Sequence, residues 1–105
     1  MSPDIDDAWW ALCRSLDTCG RLLQEEVRTY PTPIARCDVQ LTKVIEQRDA
    51  AFRYLRSAGE LARIRPVAEP SEWRRRLREF ATGLESLEDE GVAAARERVM
   101  AALEH

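Results

Sequence analysis

The hydrophobic residues of this chain recur every three or four positions in three successive stretches, and short proline-bearing segments separate these stretches. The breaks are Tyr30-Pro31-Thr32-Pro33 and Arg65-Pro66-Val67-Ala68-Glu69-Pro70. Apolar residues at this spacing form one stripe along a helix, and proline interrupts or starts helices. The pattern predicts an all-α fold, an antiparallel up-down-up three-helix bundle with long helices over about residues 3–30, 33–63 and 71–101.

The third stretch contains a candidate break. Its apolar positions keep helical spacing from Trp73 through Leu87, and the series continues with a slight phase shift after Asp89-Glu90-Gly91. A glycine costs a helix about 1 kcal/mol relative to alanine. Two interpretations therefore stay open, one continuous helix and a break near Gly91 that gives a short fourth helix.

The chain of 105 residues has the length of one domain. We expect residues 1–102 to form a single helical bundle. The last three residues, Leu103-Glu104-His105, resemble the start of an expression tag, and we expect residues 103–105 to be its remnant. His105 is the only histidine, so the native chain would then contain none.

Composition and charge narrow the functional classes. Apolar residues make up 45% of the chain, charged residues 33%, and the net charge is −3. The sequence contains no apolar run long enough to span a membrane, and its first residues are acidic, so we expect a cytoplasmic protein. Lys43 is the only lysine among the 16 cationic residues. This preference for arginine is typical of a GC-rich bacterial genome.

The candidate chemistry is sparse. Cys13, Cys19 and Cys37 are odd in number, and their predicted positions suit free thiols better than a disulfide. Without a native histidine, the chain offers neither a Cys–His nucleophile nor a histidine-dependent zinc or di-iron site. The sequence therefore predicts no catalytic residue, no metal and no cofactor, and it does not indicate an enzyme.

One arginine falls on the predicted buried face. Arg48 lies among the inward apolar positions of the second helix, and an unpaired buried cation is costly. Folding the helices about their turns places it near Asp17, Glu85 and Glu88. These three carboxylates are the predicted partners of a buried ion pair, and a ligand-binding role for Arg48 is the alternative.

The second stretch also resembles the helical chorismate mutase family. The spacing Asp38-x-x-Leu41-x-x-Val44-Ile45-x-x-Arg48 is similar to that family's first helix, and Arg65-Pro66-Val67 is similar to its next loop. The resemblance covers about forty residues and implies a substrate-binding role for Arg48. Pro31 and Gly59 stand where that family has an arginine and its active-site lysine.

A dense basic cluster opens the third stretch, at Arg74, Arg75, Arg76 and Arg78. Cations are unfavourable at a helix start, so they need partners. The predicted layout brings them to the end of the bundle that holds Asp4, Asp6 and Asp7, and we expect pairing within the fold. Nucleic-acid or phosphate binding through this cluster is the alternative function, although no aromatic residues are interleaved for base stacking.

Several large apolar residues fall off the main stripes. They are Trp10, Leu22, Val39, Tyr54 and Leu61. Adjacent Trp9 and Trp10 cannot both point into one narrow core. The leading hypothesis is a non-enzymatic bundle that binds another protein or a second copy of itself as a homodimer through these residues. Nucleic acid, membrane and metal are not expected partners.

Overall fold

A computed structural model describes residues 4–30 and 38–104 of the chain. These residues contain four α-helices. They are α1 (Ile5–Arg28), α2 (Asp38–Ile64), α3 (Pro70–Gly83) and α4 (Glu90–Leu103), with a 3₁₀ turn at Leu84–Ser86 between α3 and α4. No strand occurs in the described ranges. The predicted all-α bundle is confirmed. None of these helices has the length and apolarity to cross a membrane.

The helix starts and ends follow local capping. Asp4 caps α1, where its carboxylate accepts hydrogen bonds from the backbone N–H groups of Asp6 and Asp7. Pro70 occupies the first turn of α3, where its missing N–H removes no helical hydrogen bond. The predicted start of the second helix at residue 33 lies outside the described residues.

The third predicted helix is two helices, so the interpretation with a short fourth helix is the correct one. The chain leaves the helical conformation before Gly91, with extended backbone at Leu87 and Asp89. The Asp89 carboxylate accepts a hydrogen bond from the Val92 N–H at 2.8 Å and so begins α4. The break is therefore set by an N-cap and not by the flexibility of glycine.

Helix α4 folds back along α3. The Arg74 guanidinium, near the start of α3, donates to the Leu103 carbonyl at the end of α4, at 3.0 Å. Arg96 donates from Nε to the Ala81 carbonyl at 2.8 Å. The topology is up-down-up-down, in which α1 contacts α2 and α4 most extensively. Leu103, expected to belong to a tag remnant, is a buried residue at the end of α4.

Two polar side chains of α2 hold the turn between α3 and α4. The Gln47 amide donates to the Ser86 carbonyl at 3.1 Å and accepts from the Glu88 N–H at 2.9 Å. The Tyr54 hydroxyl lies 2.8 Å from the Gly83 carbonyl and 2.7 Å from the Ser86 Oγ. The non-helical backbone thus finds partners on α2, as backbone polar groups require.

An aromatic cluster ties three helices together at the end of the bundle where α1 begins. Trp73 is fully buried, and its ring centroid lies 5.8 Å from that of Trp9 in an edge-on contact. The Trp73 indole N–H donates to the Leu61 carbonyl at 2.8 Å. The Arg65 guanidinium lies 4.0 Å above the same ring. Leu12, Leu16, Leu77, Leu84, Val92 and Val99 extend this core, each almost completely buried.

The α1–α2 hairpin is longer than the layer that covers it. The Lys43 ammonium binds Glu88 at 3.0 Å, and Thr18 shares a groove with Asp89, so the α3–α4 turn lies level with these positions. Beyond them, residues 22–28 of α1 and 38–44 of α2 continue for about 10 Å without α3 or α4 beside them. We call these two segments the distal hairpin.

We expect Trp73→Ala to lower the free energy of unfolding by about 3–5 kcal/mol, because it removes a fully buried indole and its hydrogen bond. Val67→Ala is the control, since Val67 is 84% exposed and its truncation should change stability by less than about 0.5 kcal/mol. Urea denaturation followed by circular dichroism measures both values. Equal midpoints for the two variants would contradict this account of the core.

Candidate functional site

The seam between α1 and α2, on the flank away from α4, exposes aromatic surface. At Gly20 the two helices approach closely, because an added Cβ would lie 3.3 Å from Phe52 Cε1 and 3.2 Å from Leu55 Cδ1. Gly20 is itself buried, yet Phe52 remains 40% exposed. The seam is therefore open to solvent where the phenyl ring lies.

Trp10 lies on the same flank of α1. Viewed along the axis of α1, Trp10 lies within about 60° of both Asp6 and Gln24. Asp6 binds Arg65, just after α2, and Gln24 binds Arg48 of α2. The Trp10 side chain is 58% exposed, whereas neighbouring Trp9 is buried. Ten residues separate Trp10 from Gly20, or about 15 Å along the axis. We call Trp10, Cys13, Gly20 and Phe52 the outer seam.

The structure divides the five predicted surface residues. Trp10, Leu22 and Val39 are exposed, with Leu22 at 63% and Val39 at 78%. Leu61 is buried instead, and Tyr54 is half-buried with its hydroxyl committed to the α3–α4 turn. The prediction of an exposed patch is wrong for these two, because α3 lies over that side of α2.

The exposed members do not form one patch. Leu22 and Val39 lie on the distal hairpin, while Trp10 lies near the other end of α1. Sequence reasoning missed Phe52, whose helical spacing assigns it to the inward stripe. Gly20 is the sequence feature that could have indicated Phe52. Because glycine has no side chain, the Phe52 ring can lie beside it at the edge of the seam.

Arg48 makes contacts other than the predicted ones. Its guanidinium donates from Nε and Nη2 to Asp49 at 3.2 and 3.1 Å, and from Nη1 to Gln24 at 3.4 Å. The arginine side chain is 24% exposed and Asp49 is 51% exposed. The predicted buried ion pair is therefore corrected to a partly exposed pair between neighbouring residues.

The three predicted carboxylate partners each bind another cation. Asp17 binds Arg21 one turn later at 2.9 Å, Glu88 binds Lys43, and Glu85 binds Arg96. Two features account for this. Arg48 lies level with Gln24 of α1, which it contacts, and not with Asp17. The predicted level with Glu85 and Glu88 was right, since neighbouring Gln47 contacts Ser86 and Glu88, but Arg48 lies on the flank of α2 that faces α1.

Two of the four arginines in the basic cluster pair with carboxylates of their own helix. Arg75 binds Glu72 and Glu79, and Arg76 binds Glu72. Hydrogen bonds from Arg75 and then Arg76 lower the pKa of the exposed Glu72 carboxyl to about 2. Arg78 is exposed on the same helix.

The predicted pairing of this cluster with the N-terminal aspartates is not what the described residues show. Asp6 binds Arg65 at 2.8 Å, from the turn after α2. Arg74 donates to the α4 carbonyl of Leu103. Arg75 and Arg76 instead find carboxylates about one turn away on their own helix, where residues three or four apart are neighbours.

A groove of about 490 Å³ runs between α2 and α3. Its floor is apolar, with Leu61, Ile64 and Phe80. Charges of both signs line its rim. Among them, Glu79 already binds Arg75 and Arg76 already binds Glu72. The groove therefore does not select a ligand of one charge.

The described thiols are poor nucleophiles. Burial raises the pKa of Cys13 and of Cys19 to about 11, and Asp89 adds to the effect at Cys19. Cys37 lies outside the described residues. Within residues 4–30 and 38–104, no three His, Cys, Asp or Glu side chains are grouped to hold a metal ion.

Comparison with family models, with characterised proteins and with solved structures gave no significant match.

We expect alkylation of Cys13 by iodoacetamide at pH 8 to be about 100-fold slower in the folded Cys37→Ala variant than in the same variant unfolded by urea. The thiolate is the reactive form, and the pKa of Cys13 rises from 9.0 to about 11 on folding. In the folded protein the rate should keep rising tenfold per pH unit toward pH 11. Mass spectrometry of the Cys13 peptide measures both rates, and similar rates would contradict the burial of this thiol.

Proposed function

We propose that this protein is a non-enzymatic helical-bundle module that associates with a second copy of itself through the outer seam. The observation that carries the proposal is Trp10, which leaves more than half of its surface in water while Trp9 and Trp73 are buried. Tryptophan is the residue most enriched at the energetic centres of protein interfaces.

The spacing of two exposed aromatic rings is compatible with a two-fold interface. Such an interface pairs the same patch on both subunits. Trp10 and Phe52 are 58% and 40% exposed, and Phe52 lies level with Gly20, about 15 Å along α1 from Trp10. An antiparallel pairing would set Trp10 of each copy against Phe52 of the other.

The charges that flank the seam are compatible with this pairing. Asp17 and Arg21 lie along the α1 side, and Arg48 and Asp49 lie along the α2 side. Each side carries both signs, so two copies do not repel one another. An aromatic centre inside a polar rim is also the usual composition of a protein interface.

Two alternative functions have weaker support. Binding of nucleic acid would need the Arg75 and Arg76 guanidinium groups, which are already bound to Glu72 and Glu79. A chorismate-mutase-like role would need Arg48 to face a dianionic substrate with other cations, yet its guanidinium binds Asp49 and Gln24. The acidic net charge of −3 also opposes nonspecific binding to polyanions.

The test is the molecular mass in solution as a function of protein concentration. We expect the mass of the wild type to rise from monomer toward dimer, measured by light scattering or sedimentation velocity. We expect Trp10→Ala to raise the dissociation constant at least about tenfold, because an aromatic at an interface centre contributes about 2 kcal/mol.

Val67→Ala is the matched control, since it truncates a more exposed apolar side chain outside the seam. Its dissociation constant should equal that of the wild type. A wild type that stays monomeric at every concentration would overturn the proposal. Equal weakening by both substitutions would show that association does not use the outer seam.

A further inference from the structure

The distal hairpin presents apolar surface on the side that α3 and α4 cover further along the bundle. Leu22 and Val39 are 63% and 78% exposed, and Leu23, Tyr30 and Val44 are only half-buried. Leu22 lies on the flank of α1 that carries Thr18 and Ser15, which meet the start of α4. The surface is thus a continuation of the groove that α4 occupies.

The sequence of the α3–α4 region is compatible with one continuous helix. Apolar or small residues recur through both helices and the turn in steps of three or four. They are Trp73, Leu77, Phe80, Leu84, Leu87, Gly91, Ala95, Val99 and Ala102. No proline occurs between Pro70 and the end of the chain, so nothing in the covalent chain forbids a helix there.

A straightened helix would lie over the distal hairpin. Trp73 of α3 contacts Leu61 across the antiparallel pair α2–α3, and Trp9 contacts Trp73 and Phe80 across the parallel pair α1–α3. Continuing α3 at 1.5 Å per residue would place about residues 89–96 beside residues 38–44 of α2 and 22–28 of α1. The segment that would cover the exposed Leu22 and Val39 is therefore the first half of α4.

The contacts that hold the turn closed are polar and near the surface. Gln47 contributes two hydrogen bonds, Tyr54 two more, and the Lys43–Glu88 and Arg96–Glu85 pairs are partly exposed. Exposed pairs of this kind contribute about 0–1 kcal/mol each. Against them stands the burial of Val92, Val99 and Leu103 against the rest of the core.

We infer that α4 has two docking positions on its own chain. In the closed arrangement, the one described above, α4 folds back against the first half of α1. In the extended arrangement, α3 and α4 form one helix and α4 covers the distal hairpin. Both arrangements use a face of α4 that includes Ala95, and only the first half of α4 docks on the distal hairpin in the extended one. The turn thus acts as a conformational switch.

The distance between Asp7 and Ala101 differs greatly between the two arrangements. In the closed arrangement Asp7 and Ala101 line the same shallow groove, and both are exposed. In the extended arrangement Ala101 would lie at the opposite end of the molecule, farther from Asp7 by roughly 40 Å. Spin labels on Asp7→Cys and Ala101→Cys therefore separate the two by pulsed electron paramagnetic resonance. The labelled protein also carries Cys13→Ala, Cys19→Ala and Cys37→Ala.

The deciding variant is Asp89→Ala. The Asp89 carboxylate caps α4 only when the helix begins at Glu90, and alanine favours a continuous helix. We expect the ratio of extended to closed molecules to rise about tenfold. Asp4→Ala is the matched control, because it removes the same type of cap from α1 and leaves the turn intact. It should leave the distance distribution unchanged.

Gln47→Ala provides a second route, since it removes both hydrogen bonds from α2 to the turn. The long distance should grow in this variant too, and most in the double variant with Asp89→Ala. The inference is overturned if the double variant is folded by circular dichroism and shows only the short distance. A long distance that grows with protein concentration would also overturn it, because it would come from exchange of α4 between two copies.

Discussion

The fold depends on how the chain between α3 and α4 satisfies its backbone polar groups. Six residues there leave the regular α-helix, and Gln47 and Tyr54 of α2 supply the hydrogen bonds that the helix no longer provides. The Gln47 amide is suited to this task because it carries a donor and an acceptor on one rigid group. Without these partners the turn would leave its backbone groups unpaired beside the core, at a cost of about 1–3 kcal/mol for each group.

The position of that turn determines where the core lies. Because α4 returns along α3, all four helices pack together at the end of the molecule where α1 begins. Only α1 and α2 form the opposite end. Trp9, Trp73 and Leu77 are buried in the four-helix half. The surface ion pairs follow from this arrangement, and their individual contributions are small. Charge therefore adjusts to the packing and does not direct it.

The periodicity of apolar residues was sufficient to predict the helical class, because one buried stripe per helix requires it. The fourth helix was present only as an alternative. Asp89, which begins α4, is a good N-cap. An aspartate at this position is also compatible with the exposed face of one longer helix, so its presence in the sequence does not distinguish the two arrangements. The hydrogen bonds from α2 to the turn, together with the burial of Val92, Val99 and Leu103, favour a separate fourth helix over one longer helix.

The candidate site was harder to predict than the fold. Placing Tyr54 and Leu61 on the surface failed because the path of α3 over α2 depends on the turn, which lies more than twenty residues away in sequence. The partners of Arg48 failed for a different reason. Its contact with Gln24 shows that α1 and α2 are shifted along one another relative to the assumed register, and Arg48 lies on the flank of α2 that faces α1 and not the turn. Trp10 was predicted correctly, because consecutive residues on a helix point about 100° apart and Trp9 already fills the core.

The Lys43–Glu88 contact marks a boundary in local stability along the 52 Å length of the molecule. On one side, opening α1, α2 or α3 exposes buried aromatic rings and leucines, so the amide protons of these helices should be the slowest of the molecule to exchange with solvent there. On the other side, the distal hairpin can fray with little loss of buried surface. The molecule thus combines a cooperatively folded unit at one end with an easily unfolded unit at the other. A pulling force applied at the distal hairpin would unfold that segment before it disrupted the core.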